Sequence, residues 1–273
     1  MSAPSGPTNQ ADQSDQPQPA QPIELITPAA EPQRPQPRDA ANWAQRGDNL
    51  QVSSVPTSAI NLNVNGRSVE GPLQGFGKLW QKVYKAALTG SDATPQQVIA
   101  TWKTHFPEFW PKGNRFFVPL TGIKPGEVAL LNLTTAGMPL STGVLVLYAD
   151  DESFTLMTPQ GHMFAGLITF SASEGANGAP TEARAEVLMR ASDPIYEMGL
   201  TFGGHKAEDK FWIHTLTALA NRFGVQQPKV ETQMICVDSR RQWRNARNVW
   251  NNAAVRTAMF APFGWITRGQ QES

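Results

Sequence analysis

Four histidines, His105, His162, His205 and His214, are the side chains best suited to move a proton near neutrality. None stands at metal-ligand spacing from another His or from a Cys. The nearest approach to such a pattern is His205 and Asp209, four apart on a helical stretch. No metal and no cofactor is expected. His162 follows Gly161 and opens a strand-like run, Met163 and Phe164. From that position its ring can meet a polar group of a ligand, or it can simply bond a neighbouring backbone carbonyl. Asp150, Asp151 and Glu152 cluster, but in a hairpin-like turn where carboxylates are normally solvated. Ser141, Ser153 and Ser171 lack nucleophile-elbow spacing, and Gly161, Gly203 and Gly204 make no phosphate-cradling pattern. No catalytic residue is assigned.

The large apolar side chains carry the stronger signal. Trp102, Phe106 and Trp110 follow one another on a short helix and the turn after it. Met157, His162 and Phe164 fall on strand-like runs, and Met198, Phe202 and Trp212 on a long closing helix. Tryptophan and methionine suit the irregular wall of a pocket. Those nine residues form the expected ligand-binding set. The same side chains could equally pack a closed core.

Several elements must position them. Lys78 to Leu88 reads as a first strand. Thr94 is a good N-cap, with Pro95 at the first helical position and Gln97 three residues on. Val98, Ile99, Trp102 and Phe106 then recur at helical spacing until Pro107 stops the helix. Strand-like runs follow at 127–133, 143–149, 153–157, 164–172 and 182–191, joined only by turns, which implies antiparallel pairing. Asp193 and Pro194 begin the closing helix, the pair Gly203–Gly204 is expected to kink it, and Gly224 ends it. Residues 230–237 suggest one more strand. Ser239–Ala258 suggests a second amphipathic helix.

This element order, with the aromatic Phe106–Trp110 turn, resembles the helix-grip fold of the START-like (SRPBCC) superfamily. That superfamily includes the birch-pollen allergen type, polyketide cyclases and lipid-transfer domains. The runs Tyr148–His162 and Gly166–Phe170 are similar to uncharacterised bacterial members. The resemblance covers roughly residues 70–225. It implies an α+β fold, in which a curved antiparallel sheet grips a long C-terminal helix, and it implies a cavity between them. It carries over no catalytic motif, because members differ in chemistry.

Around that unit the composition shifts. Nine of the 22 prolines lie in the first 37 residues, so 1–55 is expected to be a disordered Pro/Gln-rich tail, with an apolar island at Ile23–Ile26. The helix-grip domain is placed at 60–228, and a strand plus a basic helical extension at 229–273. Residues 239–273 hold six Arg against Glu272, a charge of +5, in a chain of zero formal net charge. Arg240, Arg241, Arg244 and Arg247, with Trp243 and Trp250, form an expected contact for an anionic membrane surface or a partner. Nucleic acid is a less specific match to that pattern. Cys236 is the one cysteine, so an internal disulfide is excluded, and a small core residue is expected there. With no long apolar run and no secretory pattern at its start, the chain is expected in the cytoplasm, with peripheral membrane contact as a further option. The expected role is to hold a small hydrophobic or amphipathic molecule. The alternatives are a cyclase-type enzyme that uses His162 in the same hollow, and a docking protein acting through its basic end.

Overall fold

The computed structural model describes residues 39–268 apart from 46, 48, 136 and 137. Residues 1–38, including the Ile23–Ile26 island, lie outside the described residues.

Period-two patterning builds the sheet. In β7 (Glu182–Ala191), Ala183, Ala185, Val187 and Met189 are buried on one face while the residues between them are more open. β1 (Leu79–Ala87), β5 (Ser153–Met157) and β6 (Phe164–Ser173) supply matching faces. β3 (Val128–Thr135) and β4 (Met138–Ala149) form a long hairpin, and short β2 (Arg115–Phe117) borders it. The last strand, β8 (Val230–Asp238), pairs with β1. All eight strands make one antiparallel sheet in the order β2-β3-β4-β5-β6-β7-β1-β8. Register shifts at Val146/Tyr148 and Leu79/Trp80 mark bulges, which bend a sheet.

α1 (Pro95–His105) begins with the expected reciprocal cap: Gln97 N–H donates to Thr94 Oγ1 and Thr94 N–H donates to Gln97 Oε1. A 3₁₀ turn, Phe106–Phe109, follows it. Asp193 caps α2 (Pro194–Gly199), accepting from Ile195 N–H at 2.8 Å and Tyr196 N–H at 3.0 Å. A π turn, Leu200–Gly204, then leads into α3 (His205–Arg222), with Gly203 at φ +111° as the break in an otherwise continuous helix. α1 packs on β6 and β7, and α3 on β1, β7 and β8. This is the helix-grip arrangement, and its α+β class matches the expectation.

The other face of the sheet is covered by both ends of the described chain. Residues 39–55, placed by composition in the tail, pack on it instead. Trp43 bridges to Tyr148 with ring centroids 4.8 Å apart, and buried Leu50 joins Ala59, Val64, Val128 and Leu130 in a second apolar cluster. From the C-terminal side, α4 (Ala253–Arg268) lies on β4. Buried Asn63 donates to Ser141 O at 2.8 Å and to Ala253 O at 3.2 Å, tying the two ends together.

Two further expectations are corrected. Residues 239–258 are not one helix: Trp243–Asn251 is a 3₁₀ segment and α4 starts only at Ala253. Asparagine side chains explain the difference, because Asn245 and Asn248 donate to the carbonyls of Gly75 and Gln74 and draw the segment onto a loop. Cys236 is exposed, because β8 is an edge strand with little packed against it.

Gly161 shows how closely the C-terminal segment is seated. Its φ is +85°, its carbonyl accepts from Ala253 N–H at 2.9 Å, and a Cβ there would overlap the Asn251 carbonyl. Gly161→Ala is expected to cost about 1–3 kcal/mol of stability. It should also speed limited proteolysis beyond Asp238. Wild-type resistance in both assays would refute this seating.

Candidate functional site

Strand register decides which side chains face α3. Tyr84 and Phe170 both pair with Ala185, and all three belong to the main core. By period two, Trp80, Lys82, Phe164 and Ile168 point to that same face.

The space they enclose is uneven. Trp102, Phe106, Phe154 and Phe170 are fully buried and touch edge to face or stacked, with centroids 4.7–6.2 Å apart. Trp110 extends the group through Phe106 at 5.7 Å and Phe211 at 4.9 Å. Three residues expected to line a hollow, Trp102, Phe106 and Trp110, therefore fill this half as packed core. The other half is more open. Trp80, Phe164, Ile168 and Trp212 face inward yet stay only half-buried.

A charged cluster lies beside them. Lys82 on β1 is completely buried, with its ammonium 2.9 Å from Glu208 Oε2 and 2.8 Å from Asp209 Oδ1 of α3. It also donates to His205 O at 3.4 Å, and Tyr84 Oη–H donates to Asp209 Oδ1 at 2.7 Å. Two carboxylates thus share one ammonium. Burial pushes the Glu208 carboxyl well above its ordinary pKa, against the pull of Lys82. Burial likewise raises Tyr84, which stays a phenol, and lowers His205. His205 Nδ1 is buried without a hydrogen-bond partner among the described residues, while the Glu208 carboxyl draws the Trp212 indole N–H as well as Lys82. The His205 ring meets Trp80 at 4.8 Å. Sequence spacing hinted at this cluster only through His205 and Asp209. Lys82 was hidden because a lysine in a strand is ordinarily solvated.

The remaining expected site residues scatter. Phe164 and Trp212 sit at the open half. Met157 alternates with the inward-facing Phe154 and Leu156, so it points to the opposite face, where its Cε approaches Gly71. Met198 is 57% exposed and Phe202, on the π turn, is 84% exposed, so neither lines the interior. His162 takes the backbone role. Its Nδ1 is 3.0 Å from Phe164 N and 3.2 Å from Phe164 O, and burial pulls its pKa down to about 4.

The basic end is not one free face either. Arg240 pairs with Asp238 at 3.0 Å and Arg241 with Glu197 at 3.0 Å. Arg244 and Arg247 remain exposed beside the exposed Trp243 and Trp250. Among the described residues, no group of three or more His, Cys, Asp or Glu is placed to hold a metal, and no helix is long and apolar enough to cross a membrane.

A scan against protein-family models finds no match, and a search of the curated proteins finds none. Solved structures do match. A START superfamily protein from Mycobacterium smegmatis is 18% identical over 54% of this chain and 98% of its own, with a TM-score of 0.37. The protein Ara h 8.0201 is 12% identical over 53% of this chain and 97% of its own, at 0.37. The di-domain ARO/CYC StfQ of steffimycin biosynthesis is 10% identical over 54% of this chain and 53% of its own, at 0.41. These similarities say nothing of ligand or chemistry. The architecture stands on the strand order and closing helix described above.

Two outcomes test the cluster and the histidine. Lys82→Met leaves Glu208 and Asp209 without their cation and is expected to cost about 3–5 kcal/mol in urea unfolding. Adding Glu208→Gln should recover part of that loss; additive losses would contradict the shared ammonium. His162 has a folded pKa below its unfolded one, so the unfolded state takes up the proton first. Its contribution is intact above pH 6.5 and falls away towards pH 4, by about 2–3 kcal/mol. His162→Asn should remove that part of the acid slope. An unchanged slope would show that the ring is not held neutral.

Proposed function

We propose that the protein holds a small amphipathic molecule at the open half of the sheet–helix space. The apolar part rests on Trp80, Phe164, Ile168 and Trp212, and the polar end is directed at Glu208 and His205. The single observation behind this reading is that inward-facing strand positions stay half-buried next to the partnerless buried His205 Nδ1. In a closed core both features carry a cost: exposed apolar surface forgoes about 25 cal/mol per Å², and an unpaired buried polar group costs about 1–3 kcal/mol. A ligand with an apolar body and one hydroxyl, amide or carboxyl would offset both. Lipids and other small hydrophobic molecules with a polar end fit that description. The cyclase-type alternative loses support, because His162, its expected proton carrier, is occupied by Phe164 backbone and held neutral.

Titration with the fluorophore 8-anilinonaphthalene-1-sulfonate tests the proposal. Saturable enhancement by the folded wild type is expected. Ile168→Trp, which fills the open half, should weaken it about tenfold, equivalent to 1.4 kcal/mol. Phe202→Ala, on the solvent side, should leave it unchanged. If Ile168→Trp keeps its melting temperature and binds the dye as the wild type does, the site is not there.

A further inference from the structure

A second space lies away from α3. Glu70 and Gln74, Gln160 of the turn before β6, and the 3₁₀ segment Trp243–Asn251 enclose a cleft of about 450 Å³. That volume is within the roughly 300–1,000 Å³ of small-molecule sites.

The cleft is rigidly built. Asn245 Nδ2 donates to Gly75 O at 2.9 Å and Asn248 Nδ2 to Gln74 O at 2.8 Å, which fixes one wall. Arg67 donates to Gln160 Oε1 at 3.2 Å and to Asn251 Oδ1 at 3.1 Å, which links that wall to the turn. Glu70 is only 6% exposed; its carboxyl draws the Gly161 backbone N–H, and its Oε2 makes no hydrogen bond of ordinary geometry among the described residues. A buried carboxyl with an acceptor site left over is costly to keep, and a ligand hydroxyl at the cleft-lining side of Glu70 would add a hydrogen bond there. Burial holds the Glu70 pKa up at about 7, so near neutrality this carboxyl can donate as well as accept.

The remaining lining indicates what class of ligand fits. Gln74 and Gln160 carry amides, which both donate and accept without net charge. Arg247 is the lining cation and Glu70, ionised only in part near neutrality, offsets part of its charge, so a cation is not favoured and the pull on an anion is reduced. At the rim Trp250 is 83% exposed, a broad apolar ring with nothing stacked on it among the described residues. Alternating hydroxyls that donate and accept, together with a C–H face to lie on an indole, are the properties of a sugar ring. We propose that this cleft binds a small neutral saccharide, with a ring stacked on Trp250 and a hydroxyl turned to the Glu70 carboxyl. It is a different site from the sheet–helix space, and its existence does not depend on that reading.

The test titrates the full chain, labelled with ¹⁵N, with glucose, galactose, mannose, N-acetylglucosamine and disaccharides of each. Indole and backbone shifts are followed, with adenosine and inorganic phosphate as comparison ligands. At least one saccharide should bind with Kd on the order of 1 mM or tighter. Trp250→Ala, exposed enough to leave the fold intact, should weaken it at least about tenfold, and Glu70→Gln should weaken it as well. Ile168→Trp should have no effect. The proposal is overturned if no saccharide on the panel binds, if only adenosine or phosphate binds, or if binding is lost in Ile168→Trp but survives in Trp250→Ala.

Discussion

A lysine ammonium with no access to water is the constraint around which the interior of this protein is arranged. Lys82 sits in the strand that completes the β7 edge and also receives β8. Its charge could not be buried alone, since leaving an ion unpaired in such a place costs several kcal/mol. Glu208 and Asp209 answer it, and both lie in the first turns of α3. That requirement fixes where α3 begins and how it faces β1. The π turn and Gly203 let the preceding helix arrive at another angle while the carboxylates stay on the ammonium. A second carboxylate then leaves the cluster with more acid than base, and burial raises the Glu208 pKa against the pull of Lys82. One charge placed in a strand thus sets both the helix geometry and the polar end of the candidate site.

The other organising fact is that both faces of the sheet are apolar. One is closed by α1 and α3, the other by residues 39–70 and the C-terminal segment. Covering the second face brought asparagines, glutamines and an arginine against the loop that carries Glu70. The polar cleft is a product of that covering layer. It takes its lining from residues 70–74, the turn at Gln160 and the C-terminal 3₁₀ segment. The two proposed sites accordingly use different physics. Apolar burial dominates between sheet and helix, and hydrogen bonding with ring stacking dominates at the cleft.

Much of the fold was legible along the chain because its signals are local. The Thr94 capping box, the alternation in 182–191 and the Asp193–Pro194 start depend on residues a few positions apart. The 3₁₀ character of Trp243–Asn251 was not legible, because it comes from asparagine side chains reaching loop carbonyls about 170 residues away. Met157 was misplaced by the rule that methionine suits a pocket wall, which ignores the one-residue parity of a strand. Phe202 was misplaced by helical periodicity, which fails across a π turn.

Local sequence determined the type and order of every strand but β2 (Arg115–Phe117), of α1 and of the kinked closing helix, because caps, turns and apolar periodicity act over a few residues. Only the tertiary structure decided which aromatic residues meet and which stay apart, and that His162 serves backbone. Only it joined Lys82 to Glu208 across more than a hundred residues of chain, and gave Glu70 its cleft. The physical reason is range. Propensity and capping are set by neighbours in the chain, whereas burial, desolvation and charge pairing depend on distances in space that the chain order does not encode locally.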